Sequence, residues 1–185
     1  MKIGLLDVQG CVDLHIDHFQ ALGVKIQRVK QVKDLLECKG LVLPGGESTA
    51  MIKLIKEGGL WDPLKNYVNE KPVWGICAGC LLLAKKIQAG DQDSLGVLDV
   101  EMTKNGTGRQ VKSIAGEISD YPVFYIRAPI ITKVSKVAKI YAQKDKNPVW
   151  IVDKNIMVTT FHPELGHPRP SPIHHFFLNF LAGPL

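Results

Sequence analysis

What this 185-residue sequence lacks narrows it first. No run approaches the roughly 20 apolar residues that a bilayer span requires. The opening "MKIGLLDVQG" has no long apolar stretch followed by a small-residue cleavage site. The expectation is a soluble, cytoplasmic protein with no targeting segment and no membrane association. Only four cysteines occur (Cys11, Cys38, Cys77 and Cys80), which is thin for a disulfide scaffold, so reduced thiols are expected. The net charge is +5, yet Lys and Arg are scattered, with no basic run or recognisable module for nucleic acid. No repeat, low-complexity segment or long linker appears, and no G-x-x-x-x-G-K-[ST] phosphate loop. Hydrophobic residues make up 45% and charged residues 22%, as in ordinary globular chains. One domain, 1–185, with a sizeable core is the expectation.

What is present is alternation. Short Val, Ile and Leu runs at Lys2–Val8, Lys25–Lys30, Gly40–Leu43 and Pro72–Ile76 read as buried strands. Between them, Asp13–Leu22, Ser48–Glu57 and Asp62–Asn69 read as helices, and Ala78–Ile87 follows as another. Leu14, Phe19 and Leu22 are the expected inward positions of the first helix; Ser48 or Thr49 is the expected cap of the second. From Leu95 onward strands dominate, at Gly96–Thr103, Pro122–Arg127, Val137–Ala142, Val149–Val152 and Ile156–Phe161, before a closing helix at Ile173–Leu181. This pattern predicts an α/β three-layer fold: a mostly parallel central sheet, helices on both faces and an antiparallel extension. In such sheets sites form at the carboxyl ends of strands. Two motifs fall there, "PGGES" (44–48) and "GICAG" (75–79).

Gly75-Ile76-Cys77-Ala78-Gly79 is G-x-C-x-G, a cysteine version of the nucleophile elbow. Glycines suit a turn too tight for side chains at its flanks, and a helix N-terminus beneath the sulfur favours the thiolate. Two other readings stay open. Cys80 stands at C-x-x-C spacing for a redox pair, although it also leads into the apolar "LLLAKK". Zinc would need two further ligands, and the pairs His15/His18 and His174/His175 offer no convincing set, so no metal is expected. Near the far end, "TTFHPEL" (159–165) sets Glu164 two residues after His162. On an extended chain such positions point the same way, so the carboxylate can orient the imidazole. Nucleophile, base and orienting acid make a set for acyl transfer. The Gly46 and Ala78 backbone N–H groups are the expected oxyanion donors.

Together these residues resemble the class I (triad) glutamine amidotransferases. More narrowly, they are similar to the family of glutaminase subunits serving pyridoxal 5′-phosphate synthase. The likeness runs through "VQG" (8–10), "LVLPGGESTAM" (41–51), "GICAGCLLLAKKI" (75–87), "LGVLDV" (95–100), "GRQV" (108–111), "IRAP" (126–129) and "TTFHPEL". It implies hydrolysis of L-glutamine by Cys77, His162 and Glu164, with substrate contacts from Gly46, Glu47, Ser48, Arg109, Ile126 and Arg127. It also implies a partner synthase subunit that receives ammonia and docks near Gln9 and Gly10, and no cofactor in this chain. Rival readings are a glutaminase serving another synthase, such as the one making imidazole glycerol phosphate, and a binding or redox module on the same fold.

Overall fold

A computed structural model gives the fold, describing residues 1–88, 92–104 and 114–183. The chain runs β1 (Lys2–Leu6), α1 (Val12–Ala21), β2 (Lys25–Val29), α2 (Val32–Leu36), β3 (Gly40–Leu43), α3 (Ser48–Glu57), α4 (Trp61–Glu70) and β4 (Val73–Ile76). Next come α5 (Ala78–Leu83), β5 (Ala84–Gln88), β6 (Leu98–Thr103), β7 (Ile114–Ile118), β8 (Tyr121–Tyr125) and β9 (Ile130–Lys133). The last elements are β10 (Lys139–Lys144), β11 (Asn147–Asp153), β12 (Ile156–Thr159), a 3-10 turn (Pro163–Leu165) and α6 (Pro172–Leu181).

The main sheet has the order β10-β11-β12-β4-β3-β1-β2. From β12 to β2 every pairing is parallel; β10 and β11 extend it antiparallel. Side chains of successive residues leave opposite faces of a strand, and here both faces are apolar. Leu41 and Leu43 join the core layer under α3, α4 and α5, while Val42 between them joins the layer under α1 and α6. Val73 against Trp74 and Ile76, and Ile156 and Val158 against Met157, divide the same way. Strands covered on both faces read as unbroken apolar runs. That is why β1, β3 and β4 are legible in the sequence.

Three differences from expectation have physical causes. The helix expected over Ala78–Ile87 ends at Leu83, and Ala84–Gln88 becomes β5, paired parallel with β6. Every residue of α5 is buried. A further helical turn would carry Lys85 and Lys86 into the same apolar surroundings. Extended, they reach Asp99 at 3.0 Å and Glu101 at 3.4 Å. Second, α3 is capped by the Glu47 carboxylate, which accepts from the Thr49 and Ala50 N–H groups, not by Ser48 or Thr49. Third, α1 turns His15 and His18 into the core beside Phe19, while Leu14 and Leu22 are only half-buried. Elements β7 and β9 and the short α2 have no counterpart in the sequence reading.

Candidate active site

The sheet order decides where the site forms. Strands β12, β4, β3 and β1 are adjacent and parallel, so their carboxyl ends open on one edge. They deliver His162, Cys77, the Pro44–Ser48 turn and the Gln9–Cys11 turn respectively. Cys77 follows β4, its N–H bonded to the Thr159 carbonyl of β12 at 2.9 Å. Its φ is 48°, a left-handed conformation that costs a residue with a Cβ on the order of 1–3 kcal/mol. The flanking glycines are obligatory. A Cβ on Gly75 would lie 2.8 Å from the Gly79 carbonyl oxygen, and one on Gly79 would lie 2.1 Å from that of Leu43.

His162 is held from two sides. Its N–H donates to the Phe124 carbonyl at 2.8 Å, fastening it to β8. Its Nδ1 meets Glu164 Oε1 at 2.6 Å. The backbone that achieves this is not the extended one expected, because residues 163–165 form a 3-10 turn. The turn still brings the carboxylate under the ring, and Glu164 is completely buried. Burial alone would lower the imidazole's proton affinity. Hydrogen bonds to the Cys77 sulfur and the Glu164 carboxylate outweigh it and raise the His162 pKa to about 10.

One cavity of about 270 Å³ collects most of the expected residues: Gly46, Glu47, Ser48, Cys77, Ala78, Ile126, Arg127 and His162 all line it. The Cys77 thiol faces the Ile126 carbonyl at 3.7 Å, and Arg127 adopts a left-handed φ of 48° beside it. Glu47 pairs with Lys104 at 3.6 Å, and Ser48 donates to Gln92 Oε1 at 2.6 Å. Gln9 and Gly10 lie behind the glycine turn. Gln9 Oε1 accepts the Glu47 N–H at 2.9 Å, and the Cys11 N–H donates to the Gly45 carbonyl at 3.0 Å. Gly10 has φ 115°, and a Cβ there would meet the Gly45 oxygen at 2.2 Å. Arg109 lies outside the described residues. The cavity also takes in Cys11, Leu81, Lys104 and Pro129, which the sequence reading did not place there. Cys11 follows "VQG" directly, and that adjacency was the available signal.

Cys80 lies away from this cavity. It is fully buried, its thiol donates to the Thr159 carbonyl at 3.1 Å and the Gly75 carbonyl at 3.3 Å, and burial pushes its pKa well above the usual thiol value. That is core packing beneath the elbow, and it leaves the redox reading without a reactive second thiol.

The model of the SNO glutamine amidotransferase family matches residues 5–182. The chain belongs to this family. It is 44% identical over 172 residues to a pyridoxal 5′-phosphate synthase subunit PdxT of Listeria monocytogenes, covering 89% of this chain and 91% of that protein. It is 37% identical to the PdxT of Deinococcus radiodurans, covering 99% and 98%. A solved glutamine amidotransferase superposes with a TM-score of 0.88 at 32% identity, covering 98% and 99%. A glutamine amidotransferase from Thermotoga maritima shares the fold at TM-score 0.57 and 19% identity, covering 89% and 76%.

Burial of so many imidazoles behind this cavity has a thermodynamic consequence. Burial lowers the His15 pKa from 6.5 to about 4, and lowers His18 and His174 as well. Below pH 6.5 the unfolded chain therefore binds protons that the folded chain refuses, and stability falls as pH drops from 6.5 towards 4. His15 alone contributes on the order of 3 kcal/mol to that loss. Glu164 acts in the same direction. Its folded pKa lies below 4.5, so its contribution is present above 4.5 and lost as pH falls through the folded value. Urea unfolding followed by circular dichroism should show the midpoint declining steadily from pH 6.5 to 4.5. A flat midpoint over that range would contradict neutral burial of these rings.

Proposed function

We propose that this chain, as one unit of 1–185 in the cytoplasm, hydrolyses L-glutamine to L-glutamate and ammonia and passes the ammonia to a pyridoxal 5′-phosphate synthase subunit. The observation that carries the reading is the meeting of Cys77 and His162 at one strand-end cavity, with Glu164 bonded to the imidazole from behind, in a chain of this family. The Cys77 sulfur attacks the side-chain amide carbon of glutamine. Charge developing on the amide oxygen is taken by the Gly46 and Ala78 N–H groups. His162 protonates the departing nitrogen, so ammonia leaves and a glutamyl thioester remains on Cys77. His162 then draws a proton from water, which attacks the thioester and releases glutamate and the free thiol. Glu164 keeps the imidazole proton on Nδ1, leaving Nε2 for the sulfur and the leaving group.

Glu47, Ser48, Ile126 and Arg127, with Arg109, are the proposed contacts for the amino-acid end of glutamine; a guanidinium suits its carboxylate. Glu164→Gln should lower kcat by up to about 10⁴-fold, and His162→Asn should lower it further.

Ammonia released to neutral water is mostly ammonium, a poor nucleophile, so the product needs a sheltered path to its acceptor. Gln9 and Gly10 brace the oxyanion turn from the outer side, which suits them as the region through which a docked synthase partner acts on the site. The test is glutamate release from glutamine by the purified chain, alone and with a pyridoxal 5′-phosphate synthase subunit. Release that rises with the subunit supports the proposal. Release indifferent to it would keep the hydrolysis and assign the ammonia to a different acceptor enzyme.

A further inference from the structure

Behind the proposed triad lies a second, fully buried set of polar side chains that the hydrolysis does not use. Glu164 Oε1 is engaged by His162. Its other oxygen, Oε2, has no hydrogen-bond partner among the described residues, nor has His15 Nε2, which faces it at 3.8 Å. On its far side His15 Nδ1 meets His174 Nε2 at 2.8 Å. His174 Nδ1 in turn meets Ser171 Oγ at 2.6 Å. His18 stacks on His174 with ring centres 4.2 Å apart, and its Nε2 meets the backbone carbonyl of Glu164 at 3.2 Å. His15, His18, His174, Ser171 and Glu164 are all at 0% exposure.

Proton positions along this chain follow from donors and acceptors. His18 Nδ1 accepts the Ser171 N–H at 3.0 Å, so His18 carries its proton on Nε2 and donates it to the Glu164 carbonyl. Ser171 Oγ accepts the His174 N–H at 3.1 Å as the cap of α6, which leaves its hydroxyl proton to donate to His174 Nδ1. His174 then donates from Nε2 to His15 Nδ1, and His15 is left with its proton on Nε2, pointed at Glu164 Oε2. The opposite direction would aim a lone pair of His15 at a carboxylate oxygen and leave both buried atoms repelling.

We propose that His15 is a positioning residue for glutamine hydrolysis. As the Nε2–H tautomer fixed by Ser171 and His174, it directs a donor at the free oxygen of Glu164, while His18 holds the backbone of the same residue. The proposal rests on the reading of Cys77, His162 and Glu164 as the glutaminase site. Neutrality of the relay fits the low proton affinity that burial gives His15 and His174. The titratable groups facing the Glu164 carboxyl are His162 on its own turn, His15 and His18 from α1, Cys11 ahead of α1, and Tyr121 from β8. The Tyr121 hydroxyl makes no hydrogen bond to the carboxyl.

The experiment pairs two readouts. In histidine-15N-labelled protein at neutral pH, long-range proton–nitrogen correlations should find His15, His18 and His174 all neutral with the proton on Nε2. A proton on Nδ1 of His15 or His174 overturns the proposal whether or not the chain hydrolyses glutamine. The second readout is kinetic, with the synthase subunit present. His15→Phe keeps a ring against Trp74, at 5.9 Å in the wild type, but removes both nitrogens. It should lower kcat at least about tenfold with little change in KM, and move the acid limb of kcat/KM to higher pH, since the His162–Glu164 couple gains proton affinity when a donor is lost. His15→Gln can still offer an N–H near the Nε2 position and should restore most of kcat. A purely structural His15 predicts the reverse, because a glutamine amide fits that aromatic pocket worse than phenylalanine. Equal loss in both variants, or loss in neither, overturns the proposal. Wild-type protein without glutaminase activity would instead defeat the underlying functional reading, with the tautomers still deciding the relay.

Discussion

Cys77→Ala is expected to lower glutamate release by at least about 10⁴-fold while the protein remains folded. Removing the attacking group of a covalent mechanism costs most of the chemical rate. The cavity holds one other thiol, Cys11, and it is poorly placed to substitute. Burial raises its pKa, the Glu164 carboxylate raises it further, and its backbone is tied to Gly45. The backbone at position 77 adds a second expectation. Alanine inherits the φ of 48° and its strain, whereas glycine adopts it freely. Cys77→Gly should therefore be as inactive as Cys77→Ala and more stable by about 1 kcal/mol. Glutamate release and thermal unfolding on the same three proteins check both points. Residual turnover within a hundredfold of wild type in either variant would contradict the role given to Cys77.

Gly45→Ala is expected to cripple the site as well, and it tests the geometry, not the nucleophile. A Cβ at Gly45 would lie 2.2 Å from His162 Cε1 and 3.0 Å from Nδ1. The ring has nowhere to retreat, since it is 4% exposed, bonded to Glu164 and fixed to β8 through its backbone. The glycine turn is equally constrained, because the Gly45 carbonyl accepts from Cys11 and lies against Gly10. The imidazole must tilt out of line with the sulfur. Misplacement of that order costs about 10² in rate, with a stability loss of about 1–3 kcal/mol from overpacking. Gly46→Ala is the contrast. Its Cβ would meet Gln9 Oε1 at 2.4 Å and Gly10 Cα at 3.1 Å. The nearer atom is a side-chain end held by the Glu47 N–H and neither is the imidazole, so His162 should keep its place and the site should tolerate it better. Comparing kcat/KM for the two variants separates the cases. A Gly45→Ala enzyme within threefold of wild type would refute the packing argument.

The parts of this site that could be read from the sequence are those that local rules govern. Strands β3 and β4 are covered on both faces, so they appear as apolar runs. Their carboxyl ends carry "PGGES" and the cysteine elbow, whose glycines meet steric demands set within a few residues. The His162–Glu164 contact was anticipated from i, i+2 spacing, yet a 3-10 turn makes it, so the partner was legible and the backbone was not. What escaped depends on distant partners. In α1 a hydrophobic count selects Leu14, Phe19 and Leu22, but the core takes Phe19 with His15 and His18, three of whose four nitrogens are hydrogen-bonded to His174, Glu164 and Ser171. No local pattern announces partners some 150 residues away. Strand β5 was hidden for a related reason. "LLLAKKI" has helical period, and only pairing with β6 and the ion pairs of Lys85 and Lys86 make it extended.

Everything proposed for this cavity depends on Cys77 being the nucleophile that glutamine meets there. A chloroketone analogue of glutamine, reacted with the protein while the synthase subunit is present and followed by peptide mass mapping, tests it most directly. One adduct is expected, on Cys77, formed in step with loss of glutaminase activity and slowed by excess glutamine. An adduct on Cys11, or modification of Cys77 that glutamine does not slow, would contradict it.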